Sequence, residues 1–353
     1  MGVNIMEPAS AKILALRKSP IKGGSQMELP VAIPGRLKNG IDRRHTNGEC
    51  WLDETGRPIQ AHGAGILFHK GVYYWYGEHR DGPDFHYDGR NRRFIAGVGC
   101  WKSNDLVRWE SVGIVLPVND DPTSDLHRAR VLERPKVIYN PSTAKFILWL
   151  HVDTSDYKYS RAGVAVSDSP EGPFQYIQSF GPNTFMSRDM TLFVDREGCA
   201  YHIGSSDNNA TTMISCLSDD WLKPSGIFRK VFERRWMEAF AFCEHGGRYW
   251  MIASGCTGWN PNPARSAVAD DFMGPWMELP NPCVGENAEI TFGGQSCFIL
   301  PPGPVNHDYI AMFDVWRPAS LSQSGYAWLP IHWENDRMVI RNQLTWPPIV
   351  IDH

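Results

Sequence analysis

Five times along the chain, a turn carrying Gly or charged residues runs into an aromatic-rich, strand-like stretch. The five are HKGVYYWYGE (69–78), TAKFILWLHVD (143–153), REGCAYHIGSSD (196–207), HGGRYWMIASG (245–255) and NHDYIAMFDVW (306–316). Each of the first four is followed by a second shared phrase, in the same order: CWKSNDLVRWE (100–110), AVSDSPEGPFQ (165–175), CLSDDWLKPSG (216–226) and AVADDFMGPWME (267–278). The fifth leads instead into YAWLPIHWEND (326–336). The pattern is a strand, a Ser/Ala-Asp turn, and a Trp or Phe opening the next strand. A unit of about four strands recurring roughly every 50–70 residues is the signature of radially stacked blades. One such sheet cannot bury both faces alone, whereas a ring of them does so and protects the sheet edges. The fold class expected is therefore all-β, a five-bladed β-propeller over residues 45–353. A β-sandwich with accidental internal similarity is the competing reading, and the ordered double phrase argues against it.

The rest of the composition agrees. The 32 Gly and 26 Pro are spread evenly, and helical periodicity is hard to find. Residues 1–44 hold scattered Lys and Arg among Gly and Pro and read as an irregular N-terminal extension. The net charge of -4 gives no reason to expect nucleic acid or an anionic membrane as partner. No apolar run approaches the roughly 18 residues of a membrane span. Near the N-terminus only Ile13–Leu16 is apolar, too short and too late for a secretory signal. A cytoplasmic protein, or a secreted one whose signal has been removed, is expected. The eight Cys have no CxxC pair or metal-like spacing and read as buried, reduced thiols. The 14 Trp, 12 Tyr and 16 Phe suit both a β core and the stacking of sugar rings.

In a propeller the innermost strands converge on a central channel, so polar residues at their starts face one another. Three carboxylates stand at such places: Glu133 in VLERPKVIYN, Asp189 in MSRDMTLFVD and Glu238 in RRWMEAFAFCEH. A carboxylate beside such apolar runs is either partnered or protonated. Taken singly, each reads as an ion pair with a sequence neighbour: Glu133 with Arg134, Asp189 with Arg188, Glu238 with Arg234 or Arg235. Three at corresponding places in successive blades are what glycoside hydrolysis requires. One protonated acid serves the leaving oxygen, one group activates water or attacks, and neighbours tune pKa.

Several phrases resemble glycoside hydrolase family 43, and within it the exo-β-1,3-galactanases and related galactosidases. They are PIQAHGAGILFHKGVYYWYGE, ERPKVIYN, SRAGVAVSDSPEGPF, SRDMTLFVD, SGCTGW, NPCVG and TFGGQS, spread over about residues 46–330. The resemblance implies a five-bladed propeller that cleaves with inversion and releases galactose from the chain end of a β-1,3-linked galactan. It gives Glu238 the role of general acid and Asp189 that of raising the acid's pKa and holding its orientation. Most of the family has an Asp general base in the first blade. Here that stretch reads RPIQAHGAG, without a carboxylate. In the galactanase branch a Gln is proposed to hold the water instead, which corresponds to Gln295, and a second essential carboxylate corresponds to Glu133. A neutral amide is a poor base, so Glu133 stands as the alternative base. Where the branch has Pro after Glu-Ala, this chain has Phe240, which is expected to shift the acid's backbone or reshape the subsite beyond the terminal sugar.

The same phrases supply substrate-binding candidates: Glu78, Tyr157 or Tyr159, Asn208 or Asn209, and Thr257, with Trp259 and Trp316 for stacking. His62, His151 and His202 lie near strand starts, but without clustered acidic ligands neither a metal nor another cofactor is expected. The expected partner is an oligo- or polysaccharide, and oligomeric state is unreadable. An α-L-arabinofuranosidase or β-xylosidase of the same family, and a non-catalytic glycan-binding propeller, are the alternatives. The missing first-blade Asp weighs against the former, and retention of Glu238 and Asp189 against the latter.

Overall fold

The computed structural model describes residues 44–347, so all but the last residue of the expected N-terminal extension lies outside the described residues. Five antiparallel sheets of four strands follow one another along the chain. Their innermost strands are His62–His69, Val131–Asn140, Met190–Val194, Met237–His245 and Gln295–Leu300. These five strands contact one another in ring order, which closes a five-bladed propeller around a central axis. In the fifth blade the short strand Cys283–Val284 adds in parallel beside the outermost strand, Arg337–Arg341.

The repeated aromatic phrase is the second strand of each blade: Val72–His79, Lys145–Asp153, Ala200–Ser206, Arg248–Gly255 and Ile310–Val315. These strands read as continuous apolar runs because neighbouring blades cover both faces. Phe146 to Asp153, for instance, are all buried. The second shared phrase is the turn from third to fourth strand. In the first blade the Oδ1 of Asp105 accepts the backbone N–H of Val107 and Arg108 at 2.9 and 2.8 Å, and Ser103 Oγ accepts that of Leu106 at 2.9 Å. Such local side-chain acceptors are why Ser and Asp recur there.

The ring is fastened where its ends meet. His45–Thr46 pairs antiparallel with Thr345–Trp346. Trp346 packs on Trp328 of the fifth blade and donates its indole N–H to the carbonyl of Leu106 in the first, at 3.0 Å. Trp51, Trp75, Trp109, Tyr326 and Trp328 fill the space between these two blades with edge-on and tilted rings. Such rings add packing specificity to their large buried area. The thiols depart from expectation: Cys100, Cys243, Cys283 and Cys297 are buried, but Cys199 and Cys256 are exposed, the latter because it sits at a pocket rim rather than in a strand.

Candidate active site

A pocket of about 560 Å³ is lined by the starts of the inner strands and the loops beside them. Backbone geometry re-aims the side chains there. In the first, second and fourth blades the inner strand carries one extra residue against its neighbour, just after His62, Glu133 and Glu238 respectively. The following residue is left-handed each time: Gly63 at φ 57°, Arg134 at φ 54° and Ala239 at φ 60°. Such bulges bend a strand and turn a side chain out of its regular alternation.

Glu238 is partly buried in the pocket wall. Gln295 Nε2 donates to its Oε1 at 3.0 Å and Asn209 Nδ2 to its Oε2 at 3.3 Å. Burial first, and then the nearby charge of Asp189, push its pKa up to about 8, against the opposing charge of Arg134. Asp189 receives Arg134 Nε at 2.9 Å and the backbone N–H of Ala239 at 3.1 Å, which ties it to the strand that carries Glu238.

Glu133 is placed differently. Tyr157 donates its hydroxyl to Oε1 at 3.0 Å, Arg80 lies 3.5 Å from the same oxygen, and His151 Nδ1 faces Oε2 at 3.4 Å. Burial raises the pKa of Glu133, but His151, Arg80 and Tyr157 outweigh it and hold the carboxyl below its ordinary value. His151 is buried too, yet the Asp153 carboxylate at 3.0 Å and Glu133 raise its pKa to about 9. Asp153 is correspondingly depressed to about 2. Two neighbouring carboxyls of opposed tendency, one kept protonated and one ionised, are the electrostatic pattern of acid and base.

Arg134 connects the parts. Besides Asp189, its guanidinium donates to Gln295 Oε1 at 2.7 Å and to the carbonyl of Ser296 at 3.0 Å. Gln295 Oε1 also accepts the indole N–H of Trp316 at 2.9 Å. Its amide nitrogen divides between Glu238 and Ser254 Oγ. The amide orientation therefore follows from four partners. Atoms of Glu133, His151 and Asp189 come within 4.8 Å of one another, the spacing of a cation site. The donor set favours a proton instead, since both imidazole nitrogens of His151 face carboxylates.

The structure thus gathers Glu238, Asp189, Gln295, Glu133, Glu78, Tyr157, Trp259 and Trp316 around one pocket. Glu78 is a clamp within it: its Oε2 accepts two bonds from Arg80 and its Oε1 the backbone N–H of Arg134. Three candidates are not in the lining: Tyr159, whose ring stacks with the guanidiniums of Arg130 and Arg161, Asn208 and Thr257. Asn208 Oδ1 accepts from Arg188, and it is Asn209 that reaches Glu238. Thr257 is engaged within its loop, with the Asn260 carbonyl and the side chain of Asn262. Phe240 is buried between blades near Phe242 and does not line the pocket.

The expected pairing of sequence neighbours also fails. Arg134 pairs with Asp189, Glu133 faces Arg80 and His151, and Arg235 pairs with Glu278. Arg188 bonds the Tyr157 carbonyl and Asn208. Adjacent residues in a strand point to opposite sides, so partners come from other strands: His151 from the same blade as Glu133, Arg80 and Asp189 from neighbouring blades. Sequence reasoning missed Arg80, Arg188 and Cys256 as pocket residues. Arg80 lies two places after Glu78, the spacing that puts two strand residues on one face, and that signal was available.

Comparisons with known proteins agree with this architecture. The sequence profile described as glycosyl hydrolases family 43 matches residues 64–299. A family 43 β-1,3-galactosidase solved with galactodeoxynojirimycin is similar at 40% identity and a TM-score of 0.80, over 86% of this chain and 99% of that one. An exo-β-1,3-galactanase from Phanerochaete chrysosporium, solved with β-1,3-galactotriose, is similar at 31% identity and a TM-score of 0.78, over 87% of this chain and 68% of that one. An exo-β-1,3-galactanase from Clostridium thermocellum is similar at 34% identity and 0.77, over 86% and 66% respectively. A search of curated proteins found no match. With its five blades, its paired carboxyls and a profile match covering most of the ring, this chain belongs to glycoside hydrolase family 43.

Proposed function

We propose that this enzyme is an inverting, exo-acting β-1,3-galactosidase that releases galactose from the ends of β-1,3-linked galactan. The observation that carries the reading is the placement of Glu238: a carboxyl in the wall of a saccharide-sized pocket, held by Gln295 and Asn209, with burial and the charge of Asp189 pushing its pKa up to about 8. The galactosidase and galactanases of known structure, similar over most of this chain, support the choice of sugar.

In this mechanism Glu238 gives its proton to the glycosidic oxygen as the bond to the anomeric carbon breaks. Water attacks the opposite face of that carbon and loses its proton to a base. Glu133 fits that part better than Gln295. It is held ionised, whereas the Gln295 carbonyl oxygen already accepts two protein donors and has little capacity left. Gln295 then serves to orient the acid. The orphaned carbonyl oxygen of Asn209, buried and without a protein partner beside Glu238, supplies an acceptor for a sugar hydroxyl.

The test is Glu238→Gln, assayed for hydrolysis of β-1,3-galactobiose and for its binding by calorimetry. Retained binding with turnover reduced about 100-fold or more supports the acid assignment. Unchanged turnover overturns it.

A further inference from the structure

A second, smaller cavity of about 180 Å³ adjoins the catalytic pocket and shares Arg80, Glu133, Tyr157 and Trp259 with it. The rest of its wall joins apolar side chains, Ile95, Val131 and Leu132 among them, to three arginines: Arg92 and Arg93, from the strand Arg90–Arg92 and the residue after it, and Arg130 at the entry to the second blade. Two of the four guanidiniums are neutralised. Arg80 lies between Glu78 and Glu133, and Arg93 pairs with Asp84 at 2.5 Å while sitting 5.4 Å over the Trp259 ring.

Arg92 and Arg130 are not neutralised. Neither has a carboxylate partner among the described residues. The Arg92 guanidinium bonds Ser155 Oγ, and its Nε is buried without any partner. Arg130 stacks on the ring of Tyr159, 4.9 Å from its centroid. Glu133, the one carboxylate in the lining, is already satisfied by His151, Tyr157 and Arg80. Two uncompensated guanidiniums around a small cavity, one with a buried orphan donor, are costly unless an anion completes them. Guanidinium forks match planar carboxylates in particular.

Resting on the β-1,3-galactosidase reading, we infer that this cavity binds the carboxylate of a uronic acid substituent carried by the saccharide beside the bond to be cleaved. The enzyme is thereby selective for acidic over neutral side branches. Trp259, common to both cavities, provides the apolar surface between the two sugars.

The matched probes are β-1,3-galactobiose bearing a 6-linked glucuronosyl or a 6-linked glucosyl unit on its reducing-end galactose, which differ only in carboxylate against hydroxymethyl. Wild-type kcat/KM is expected to favour the glucuronosyl probe about tenfold or more, an advantage that falls as salt rises. Arg92→Gln with Arg130→Gln is expected to remove the advantage while leaving unsubstituted galactobiose turned over as in the wild type. Equal rates on both probes in the wild type, or an advantage that survives the double variant, overturn the inference. A stronger preference for 6-sulfated galactobiose overturns the assignment to a carboxylate. Calorimetry of the two branched probes on Glu238→Gln keeps the question separate from activity. Tighter binding of the acidic probe supports the cavity's role even if turnover of galactobiose is absent, and equal binding overturns it.

Discussion

Gln295 hands its amide N–H to Glu238 across 3.0 Å while its carbonyl oxygen is held by Arg134 and Trp316. In the proposed mechanism this side chain fixes the position of the proton donor. Gln295→Ala is expected to lower kcat by about 100-fold, the usual scale for a lost acid-positioning or transition-state donor. Gln295→Leu puts an apolar group against the Arg134 and Trp316 donors, the first buried and the second partly so, at a cost of about 1–3 kcal/mol in stability. Steady-state kinetics and thermal melts of both variants check this.

The rate should follow a bell in pH. The acid must be protonated, so activity holds below the raised pKa of Glu238 and is lost as pH rises through about 8. The base must be ionised, so activity is lost again as pH falls through the depressed pKa of Glu133. Asp189→Asn removes a charge that raises the acid's pKa and frees Arg134 to lower it further. The alkaline limb of kcat/KM is therefore expected to move to lower pH in that variant. Glu133→Gln is expected to lose the acidic limb together with about 100-fold or more in rate.

His151 also sets a stability window. Its folded pKa of about 9 lies above the ordinary 6.5, so its contribution is complete below about pH 6.5. That contribution is lost as pH rises through 9. His151→Gln leaves Glu133 and Asp153 without the cation between them and is expected to destabilise by about 3 kcal/mol at pH 6. The difference should shrink toward pH 9 in denaturant titrations.

Gly63 is needed for space as well as backbone angle. A Cβ there would stand 2.3 Å from Glu78 Oε1 and 3.2 Å from the backbone nitrogen of Arg134, at a left-handed φ of 57°. Gly63→Ala is expected to cost about 1–3 kcal/mol and to lower kcat by displacing the Glu78 clamp that seats Arg134. Thermal melts and galactobiose kinetics measure the two effects separately.

The blades were legible because each repeats the same solution to burying a sheet on both faces. TAKFILWLHVD and HGGRYWMIASG read as strands whatever surrounds them. The carboxylates were legible as groups that apolar strands would not otherwise carry. The pairings were not. Arg134 follows Glu133 in sequence yet serves Asp189, Gln295 and the carbonyl of Ser296, because a left-handed residue at a bulge points across the axis. Asn209 rather than Asn208 reaches the acid for a related reason. Both stand at positive φ in one turn, and only the three-dimensional path of that turn decides which amide faces the pocket. The protonation states of Glu133 and Glu238 likewise depend on residues far apart in sequence, His151 and Arg80 for one, Asp189 for the other.

The most direct test of the account is to follow β-1,3-galactobiose hydrolysis by proton NMR from the first minutes, before mutarotation. Free galactose from the non-reducing end is expected to appear first as the α-anomer, with the rate collapsing in Glu238→Gln. Galactose appearing first as the β-anomer, or no galactose from this substrate while arabinan or xylan oligosaccharides are cleaved, would contradict it.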